Sequence, residues 1–524
     1  MRYICLLSFI NLFSFAVFAQ DLGIVPRPKQ VKVTAQQKLY LDKSIILLSD
    51  ALSLKSAEYL RDFLKKSTGE TLKVGGLTKN APKAITLKVA PALNLKSDQG
   101  YQLSINKSGV KITGKSNIGV FYGVQTLLQL LPANIYAQNS SEKFTFKLPF
   151  VEIVDEPYFD KIRGLHIDIS RHFLEKKEIL RIIDYIAFHK MNVLHMHLTD
   201  DPGWRIEIKA YPKLTEIGSI GSHTSHAKGP KQFLSQQEIK EIIAYAKKQH
   251  VMVLPEVDMP GHMNAVIRSY PDLKSPRDNR EIPRVLRIDE PGIKFCKIVL
   301  TEIRQLFGDV PIHIGCDEVN LKTKTDIYSD DEILKFVKEM THFIKKELKT
   351  TPIVWDDAFE KGLHDKDTLV HWWRPGKKAW WKKMPLTIDQ KVQKFDQPFI
   401  LSPGNYTYFD MKYDKKSPGG GWAGMISSQK VYNWKPLMDL VDADKSKRHL
   451  AQGIVAATWS ERIPDFKTWQ QRTFPRLAPL AERAWTQPAD MDKNRPTWED
   501  WKRNTLSKQL QRYKAMGITY WKDK

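Results

Sequence analysis

The chain has 524 residues, of which 42% are hydrophobic and 27% are charged, and this composition excludes an intrinsically disordered protein, a collagen and a coiled coil. The length predicts roughly two to four domains. The net charge is +23, but the lysines of the N-terminal quarter are scattered along the sequence. We therefore expect a solvated basic surface and, without a recognition motif, no nucleic-acid partner.

Residues 1–19 have the pattern of a secretory signal peptide. Arg2 precedes an apolar stretch that begins at Ile4 and closes on the small residue Ala19. No later segment reaches the roughly 20 apolar residues that a membrane-spanning helix needs. We therefore expect cleavage after Ala19 and an exported mature protein, periplasmic or secreted, with no stable membrane insertion.

Residues 20–155 are predicted to form a small α+β domain. Short apolar runs at 84–89, 101–105 and 109–113 are typical of β-strands, and the last two face each other across a short turn. The segment 118–131 has the apolar spacing of a helix. A polar stretch that ends in a proline follows, which predicts the domain boundary.

From about residue 163 onward, short apolar strands alternate with amphipathic helices. This alternation predicts parallel strands joined by helical crossovers, and eight such strands close into a (β/α)8 TIM barrel. We assign the barrel to residues 156–490 and a C-terminal helical extension to residues 491–524, with its helix at 497–517. The predicted strands are 163–169, 192–199, 251–258, 311–318, 352–356, 368–373, 398–403 and 453–459.

Two of the helices between these strands begin with a recognisable N-terminal capping sequence. Ser235 with Glu238, and Ser329 with Glu332, are predicted to form capping boxes, in which side chains satisfy the free N–H groups of the first turn. The predicted helices include 174–191, 235–250, 291–307 and 329–349.

Carboxylates and aromatic side chains lie at the C-terminal end of nearly every predicted strand. In a TIM barrel these positions share one face, where the chemistry of the fold takes place. Indole rings pack against the apolar faces of pyranoses, while carboxylates and arginine bind hydroxyl groups, so the pattern predicts a sugar pocket. The residues are Asp168, Arg171, Asp200, Asp201, Asp258, His262, Asp317, Glu318, Trp355, Asp357, Trp373, Tyr408, Asp410, Trp459 and Glu461.

A metal-dependent amidohydrolase is the main alternative enzyme. His195 and His197 alternate along a predicted strand, so both imidazoles lie on one face, as a metal pair requires. The other strand ends offer Trp, Tyr and carboxylates instead of further histidine ligands or a bridging lysine. We therefore expect no metal and no cofactor. Cys296 and Cys316 lack the paired spacing of a zinc site and are expected to be free, buried thiols.

Four long, ordered segments carry a resemblance to a known family. They are RGLHIDISRHF at 163–173, LHMHLTDD at 194–201, PEVDMPGH at 255–262 and HIGCDEV at 313–319. These segments resemble glycoside hydrolase family 20, the β-N-acetylhexosaminidases. The resemblance covers nearly the whole mature chain, and one departure is Cys316, which stands where the family usually has glycine.

The resemblance implies an exo-acting enzyme that removes terminal, non-reducing GlcNAc or GalNAc from glycans with retention. Asp317 and Glu318 are neighbours, an awkward arrangement for a pair of carboxylates on opposite sides of a bond. The family uses substrate assistance, in which the acetamido oxygen attacks C1 to give an oxazolinium ion. By this resemblance Glu318 is the general acid and base, Asp317 stays ionised and holds the acetamido N–H, and Tyr408 binds the acetamido oxygen.

The same resemblance assigns the remaining site residues. Asp200 and His262 would support the acid, with His262 bonded to Glu318. The walls of the sugar pocket would be Trp355, Trp373 and Trp459, and the sugar hydroxyls would be held by Arg171, Asp410 and Glu461. A catalytically silent glycan-binding protein is a further alternative, against which the intact acid pair argues. The natural glycan, the choice between GlcNAc and GalNAc, and the oligomeric state are left open by the sequence.

Overall fold

The computed structural model describes residues 22–78, 83–137, 144–321, 326–374, 396–436, 445–486 and 494–522. Residues 1–19, for which a signal peptide is predicted, lie outside the described residues. The domain boundary placed after residue 490 also falls outside them, and both stay predictions.

A seven-stranded mixed sheet forms the N-terminal part of the described chain. Its spatial order is β1-β7-β5-β6-β4-β2-β3. The strands are β1 (Gln30–Asp42), β2 (Ile46–Ser49), β3 (Lys73–Gly76), β4 (Ala84–Val89), β5 (Tyr101–Asn106), β6 (Gly109–Gly114) and β7 (Thr145–Asp155). The helices of this part are Leu54–Thr68, Asn117–Leu130 and the 3-10 turn Ala133–Tyr136.

Side-chain periodicity explains why these segments form a sheet and a helix. Tyr101, Leu103 and Ile105 alternate with polar residues in β5 and are all fully buried. The strand pairs antiparallel with β6, as the sequence predicts. The helix Asn117–Leu130 is apolar on nearly all sides, and eleven of its residues are buried. Ser116 starts this helix by accepting a hydrogen bond from the backbone N–H of Ile118.

Eight parallel strands close into a barrel, which confirms the predicted fold. Neighbouring strands pair in chain order around the barrel, and the first of them closes against the last. The barrel strands are β8 (Ile162–Asp168), β9 (Val193–His197), β12 (Met252–Glu256), β13 (Ile312–His313), β14 (Pro352–Trp355), β15 (Leu369–Trp372), β16 (Phe399–Leu401) and β17 (Ala451–Ala456). A small antiparallel pair, β10 (Ile220–Ser222) and β11 (His226–Lys231), lies in the connection after β9.

Helices cover the outside of the barrel, and the predicted capping boxes at Ser235 and Ser329 are both present. A third box, formed by Glu175 and Glu178, starts the helix after β8. The helices in this region are Lys176–Phe188, Lys213–Glu216, Asn264–Ser269, Glu290–Phe307, Asp356–Glu360, Gly404–Thr407, Ser428–Asn433, Phe466–Thr473, Leu477–Trp485, and the capped pair Gln236–Lys248 and Asp330–Lys346, with 3-10 turns at Pro271–Leu273 and Lys445–Leu450.

The C-terminal helix runs from Trp498 to Ala515 and contains one π-turn. Its three parts are Trp498–Trp501, Lys502–Leu506 and Ser507–Ala515. Arg512 of this helix is buried and donates to the backbone carbonyls of Gly23 and Gln129 in the N-terminal part. The C-terminal extension therefore ties the end of the chain to the N-terminal domain.

Buried polar contacts also join the sheet domain to the barrel. Lys190, which precedes β9, places its Nζ 2.9 Å from Asp155 Oδ2 at the end of β7, and both side chains are fully buried. Asp155 also accepts hydrogen bonds from the side chains of Tyr101 and Trp485. Arg163, at the start of β8, donates to the backbone carbonyls of Lys190 and Phe159.

Candidate active site

The segment after β13 carries the predicted acid pair. Gly315, Cys316 and Glu318 have φ values of 63°, 71° and 50°, a left-handed backbone that is rare for residues other than glycine and is concentrated at functional sites. A Cβ atom on Gly315 would lie 1.9 Å from Asp258 Oδ1, so glycine is required there. The predicted strand 311–318 was too long, because this left-handed backbone ends the strand after His313.

His262 connects the acid pair to Asp200. Its Nε2 lies 3.5 Å from Glu318 Oε2 and 3.8 Å from Asp317 Oδ2, and its Nδ1 lies 3.2 Å from Asp200 Oδ1. Burial lowers the pKa of His262, but the charge of Asp200 and the hydrogen bonds to Asp200 and Asp201 together outweigh burial and hold this pKa well above its ordinary value. The structure therefore brings together Asp200, His262 and Glu318, with the imidazole of His262 beside the acid pair.

Asp317 is less exposed than its neighbour Glu318. Its side chain is 13% exposed, against 32% for Glu318. Burial, together with the charges of Asp357 and Glu318, raises the pKa of Asp317 to about 7. Its Oδ1 is buried without a hydrogen-bond partner among the described residues. An N–H donor or a developing positive charge placed beside Asp317 would favour its ionised form.

Four aromatic side chains lie next to the acid pair Asp317 and Glu318. Trp373 and Tyr408 are near parallel with ring centroids 6.3 Å apart, Tyr408 and Trp459 lie 6.2 Å apart, and Trp355 and Trp459 lie 5.8 Å apart. Burial, followed by the charges of Asp410 and Asp317, holds the pKa of the Tyr408 hydroxyl well above its ordinary value. All four predicted aromatic residues therefore belong to one cluster next to the acid pair.

Hydrogen bonds fix the orientation of two of these indoles. Trp355 donates from Nε1 to Glu256 Oε1 at 2.7 Å, inside the barrel. Trp373 donates from Nε1 to Asp357 Oδ2 at 2.9 Å, and Asp357 is held in turn by Arg374. Because each indole N–H is satisfied by protein, the rings have fixed positions before any ligand binds.

Arg171 is bound by three carboxylates at the end of β8. Its guanidinium nitrogens lie 3.1 Å from Asp168, 2.7 Å from Asp200 and 3.4 Å from Glu461. It also lies over the ring of Trp459, with 5.0 Å from Cζ to the ring centroid. The side chain keeps 10% of its surface exposed. Arg171 therefore joins the acid-supporting group to the residues predicted to hold sugar hydroxyls.

Asp410 and Glu461 complete the predicted hydroxyl-binding group. Burial, and then the charge of Glu461, raises the pKa of Asp410 to about 8. Its Oδ1 is buried without a hydrogen-bond partner among the described residues. A protonated carboxyl group that faces a ligand can donate as well as accept a hydrogen bond, which suits a sugar hydroxyl.

Two family models match the chain over almost all of its length. Glycosyl hydrolase family 20, catalytic domain, matches residues 161–488, and glycosyl hydrolase family 20, domain 2, matches residues 21–156. The chain belongs to glycosyl hydrolase family 20. The resemblance carried by the four sequence segments is thereby confirmed.

Curated relatives of this family 20 chain are known from several bacteria. The chain is 32% identical over 504 residues to a beta-hexosaminidase of Porphyromonas gingivalis, covering 91% of this chain and 62% of that protein. It is 29% identical over 491 residues to a beta-N-acetylhexosaminidase of Cellulomonas fimi, covering 92% of each. The chain thus spans less than two thirds of the first relative and nearly all of the second.

Solved structures share the whole architecture. The GH20 beta-N-acetylhexosaminidase of Streptomyces coelicolor A3(2) superposes with a TM-score of 0.83 at 29% identity, covering 96% of this chain and 98% of that one. The N-acetyl-beta-hexosaminidase of Streptomyces plicatus, solved in complex with Thio-NAglucal, gives a TM-score of 0.83 at 28% identity, with 97% and 98% covered. The barrel and the domain before it are therefore common to these proteins and this family 20 chain.

Two residues that contact the candidate site were missed by the sequence analysis. Trp422 packs edge-on against Trp373 and Tyr408, with centroids 5.7 Å and 5.5 Å apart. Arg284 lies against the ring of His262 and forms an ion pair with Asp201 at 3.0 Å. Both belong to irregular segments between barrel elements, where no strand end or periodicity marks them.

Cys296 and Cys316 are free and buried, as predicted. The Cys316 thiol is held near the carbonyl of Ile314, with Sγ 3.5 Å from the oxygen, and its backbone N–H donates to Asp258 Oδ1. The residue that departs from the family pattern is thus accommodated in the barrel interior at the start of the acid-pair segment.

Proposed function

We propose that this family 20 chain is an exo-acting β-N-acetylhexosaminidase that removes terminal, non-reducing GlcNAc or GalNAc from glycans. The observation that carries this proposal is the acid pair of Asp317 and Glu318 beside the His262 imidazole and an aromatic wall. The names of the curated relatives support the same class of substrate.

The first half of the proposed reaction forms an internal ring on the substrate. Glu318 donates its proton to the leaving oxygen while the acetamido oxygen attacks C1, so the C1–oxygen bond breaks and an oxazolinium ion forms. Asp317 accepts the acetamido N–H and stabilises the positive charge that develops there. Tyr408 donates to the acetamido oxygen and orients it toward C1.

The second half restores the enzyme. Glu318, now a carboxylate, takes a proton from water as the water attacks C1 from the side that the leaving group vacated. The C1 bond to the acetamido oxygen breaks, and the acetamido group is regenerated. Two inversions at C1 give net retention, and Glu318 ends the cycle protonated.

The test of the proposed function compares three aryl glycosides. Purified wild type and Glu318→Ala are assayed with aryl β-GlcNAc, aryl β-GalNAc and the matching aryl β-glucoside, each with and without EDTA. We expect wild type to cleave an N-acetyl substrate and not the glucoside, which lacks the internal nucleophile, and we expect a loss of about 100-fold or more in the variant. Equal cleavage of the glucoside, or no cleavage at all, would overturn the proposal, whereas cleavage abolished by EDTA would favour a metal-dependent hydrolase.

We also propose that the mature protein is exported. The charged start, apolar middle and small-residue exit of residues 1–19 support this. Among the described residues, no helix is both long and apolar enough to cross a bilayer. N-terminal sequencing of protein from the culture medium and from cell fractions tests the proposal. A mature N-terminus at Gln20 in an extracytoplasmic fraction would support it, and a cytoplasmic protein that keeps Met1 or Arg2 would contradict it.

A further inference from the structure

A cluster of histidines around one carboxylate fills the barrel interior beneath the aromatic wall. His166 on β8, His195 on β9 and Glu256 on β12 are each 0% exposed. The three strands are neighbours, and His166 pairs with His195 in the β8–β9 register. The cluster therefore lies within the barrel itself, and it includes the first histidine of the His195-x-His197 pair, for which the proposed reaction has no role.

The spacing of the three side chains suits a shared metal ion. Glu256 Oε2 lies 3.0 Å from His195 Nε2 and 3.6 Å from His166 Nε2, and potential ligand atoms of the three residues all lie within 4.8 Å of one another. Ligand atoms that each lie about 2.0–2.2 Å from one zinc ion in tetrahedral geometry are separated by about 3.3–3.6 Å. The two separations from Glu256 Oε2, 3.0 Å and 3.6 Å, lie within a few tenths of an ångström of this geometry.

These atoms lack the partners that buried polar groups normally have. Both ring nitrogens of His166, both ring nitrogens of His195 and Oε2 of Glu256 make no hydrogen bond of acceptable geometry to the described residues. Nε2 of His195 is near Glu256 Oε2, but the direction of the contact does not make it a hydrogen bond. Buried polar atoms in folded proteins are nearly always satisfied, so this group points to a bound species.

The surrounding residues have the arrangement that supports metal ligands. Trp355 donates to Oε1 of Glu256 at 2.7 Å, which holds the carboxylate with Oε2 directed toward the imidazoles. His197 Nδ1 also lies 3.0 Å from Oε2, and His197 Nε2 is bound to Asp200 Oδ2 at 2.9 Å. Asp200 therefore fixes the ring of His197 beside Glu256 Oε2.

We propose that His166 Nε2, His195 Nε2 and Glu256 Oε2 bind a divalent transition-metal ion, for which zinc is the best fit. Two imidazoles and a carboxylate form a recognised zinc donor set, and His197 Nδ1 is the nearest further nitrogen to Glu256 Oε2. This assignment departs from the expectation of no metal and is independent of the proposed glycosidase activity.

The ion has a structural role in this proposal. It joins three adjacent barrel strands directly below the site, where His166 packs against Trp459 with ring centroids 4.4 Å apart. Glu256 anchors Trp355 from the same position. Because the ligands are inaccessible to solvent, the chain acquires the ion as it folds, and EDTA does not remove it from the native protein.

The test measures the metal content of the mature chain, prepared without a polyhistidine tag and washed with EDTA. We expect about one zinc per chain by elemental analysis, and at least a tenfold lower content in His195→Gln and in His166→Leu. Asp317→Asn is the control, because Asp317 belongs to the acidic groups around His262 and not to the interior cluster. We expect this control to keep the ion.

A second arm remains informative if the variants do not fold. Wild type is unfolded in guanidinium with EDTA and refolded with zinc, with cobalt or without metal. We expect stoichiometric metal uptake, a higher melting temperature for the zinc-refolded protein, and the visible absorption of four-coordinate cobalt. Less than about 0.1 metal per chain in both wild-type preparations, or zinc lost in Asp317→Asn and kept in His195→Gln, would overturn the proposal.

Discussion

Asp317 combines a central position in the site with an unfavourable environment for its charge. Its pKa of about 7 exceeds the ordinary value of 3.8 because burial and nearby carboxylates oppose ionisation. In the unfolded chain this carboxyl group ionises near pH 3.8, whereas in the folded protein it stays protonated up to about pH 7. Its contribution to the free energy of unfolding is therefore fully present below pH 3.8 and is lost as the pH rises to 7 and above. We therefore expect Asp317→Asn to raise the free energy of unfolding by about 4 kcal/mol at pH 8 and to change it little at pH 4.

Denaturant unfolding of both proteins at pH 4 and pH 8 measures this effect. A variant that is less stable than wild type at pH 8 would show that His262 stabilises the charged Asp317 more than burial opposes it. The variant should at the same time lose hexosaminidase activity, because an amide does not stabilise the positive charge of the oxazolinium ion as a carboxylate does. A variant that is more stable but less active is the expected result when the replaced residue serves function at a cost in stability.

The identities of the site residues could be predicted from the sequence to the extent that they follow strands. Asp200, His262 and Glu318 come after three different predicted strands, and the fold brings strand ends together at one face. Trp422 and Arg284 could not be predicted in this way, because their positions depend on irregular segments. The pKa of Asp317 could not be predicted either, since it depends on burial and on neighbours distant in the chain.

At the scale of elements, the sequence predicts helix starts better than strand ends. The capping boxes at Ser235 and Ser329 are visible as residue types at a fixed spacing, and both are present. The predicted strand 311–318 was too long because Cys316 and Glu318 have a left-handed backbone. Such a backbone is rare for residues other than glycine, so the residue types do not predict it. The tertiary contacts around the acid pair impose that backbone.

Ser329 provides a test of the capping argument. Its side chain accepts the backbone N–H of Glu332, and its own backbone N–H donates to the Glu332 side chain. We expect Ser329→Ala to lower the free energy of unfolding by about 1 kcal/mol, because the first turn of Asp330–Lys346 loses a partner. Ser329→Asp is the matched control, since an aspartate at this position also caps a helix. A loss of the same size in both variants, measured by urea unfolding, would contradict the argument.

At the scale of the whole molecule, the contact between Asp155 and Lys190 joins the sheet domain to the barrel. Both side chains are fully buried, so removing one partner leaves an unpaired charge in the interior. We expect Asp155→Ala to lower the free energy of unfolding by about 3–5 kcal/mol. Thermal and denaturant unfolding measure the loss.

An exposed ion pair serves as the control for this prediction. Lys176 lies 2.7 Å from Glu241, and their side chains are 35% and 46% exposed. We expect Lys176→Ala to lower the free energy of unfolding far less than Asp155→Ala does, because solvent screens the exposed pair. Equal losses from Asp155→Ala and Lys176→Ala would contradict a special role for the buried contact in joining the domains.

The central claim is that the substrate supplies its own nucleophile, and a series of acyl groups tests it most directly. Aryl β-glycosides of glucosamine that carry N-acetyl, N-fluoroacetyl and N-trifluoroacetyl groups have progressively less nucleophilic acyl oxygens and an unchanged leaving group. If the acyl oxygen attacks C1, kcat/KM falls along the series by more than about tenfold, or 1.36 kcal/mol in the barrier. Values that stay equal across the series would contradict the account, because they would place the nucleophile on the enzyme.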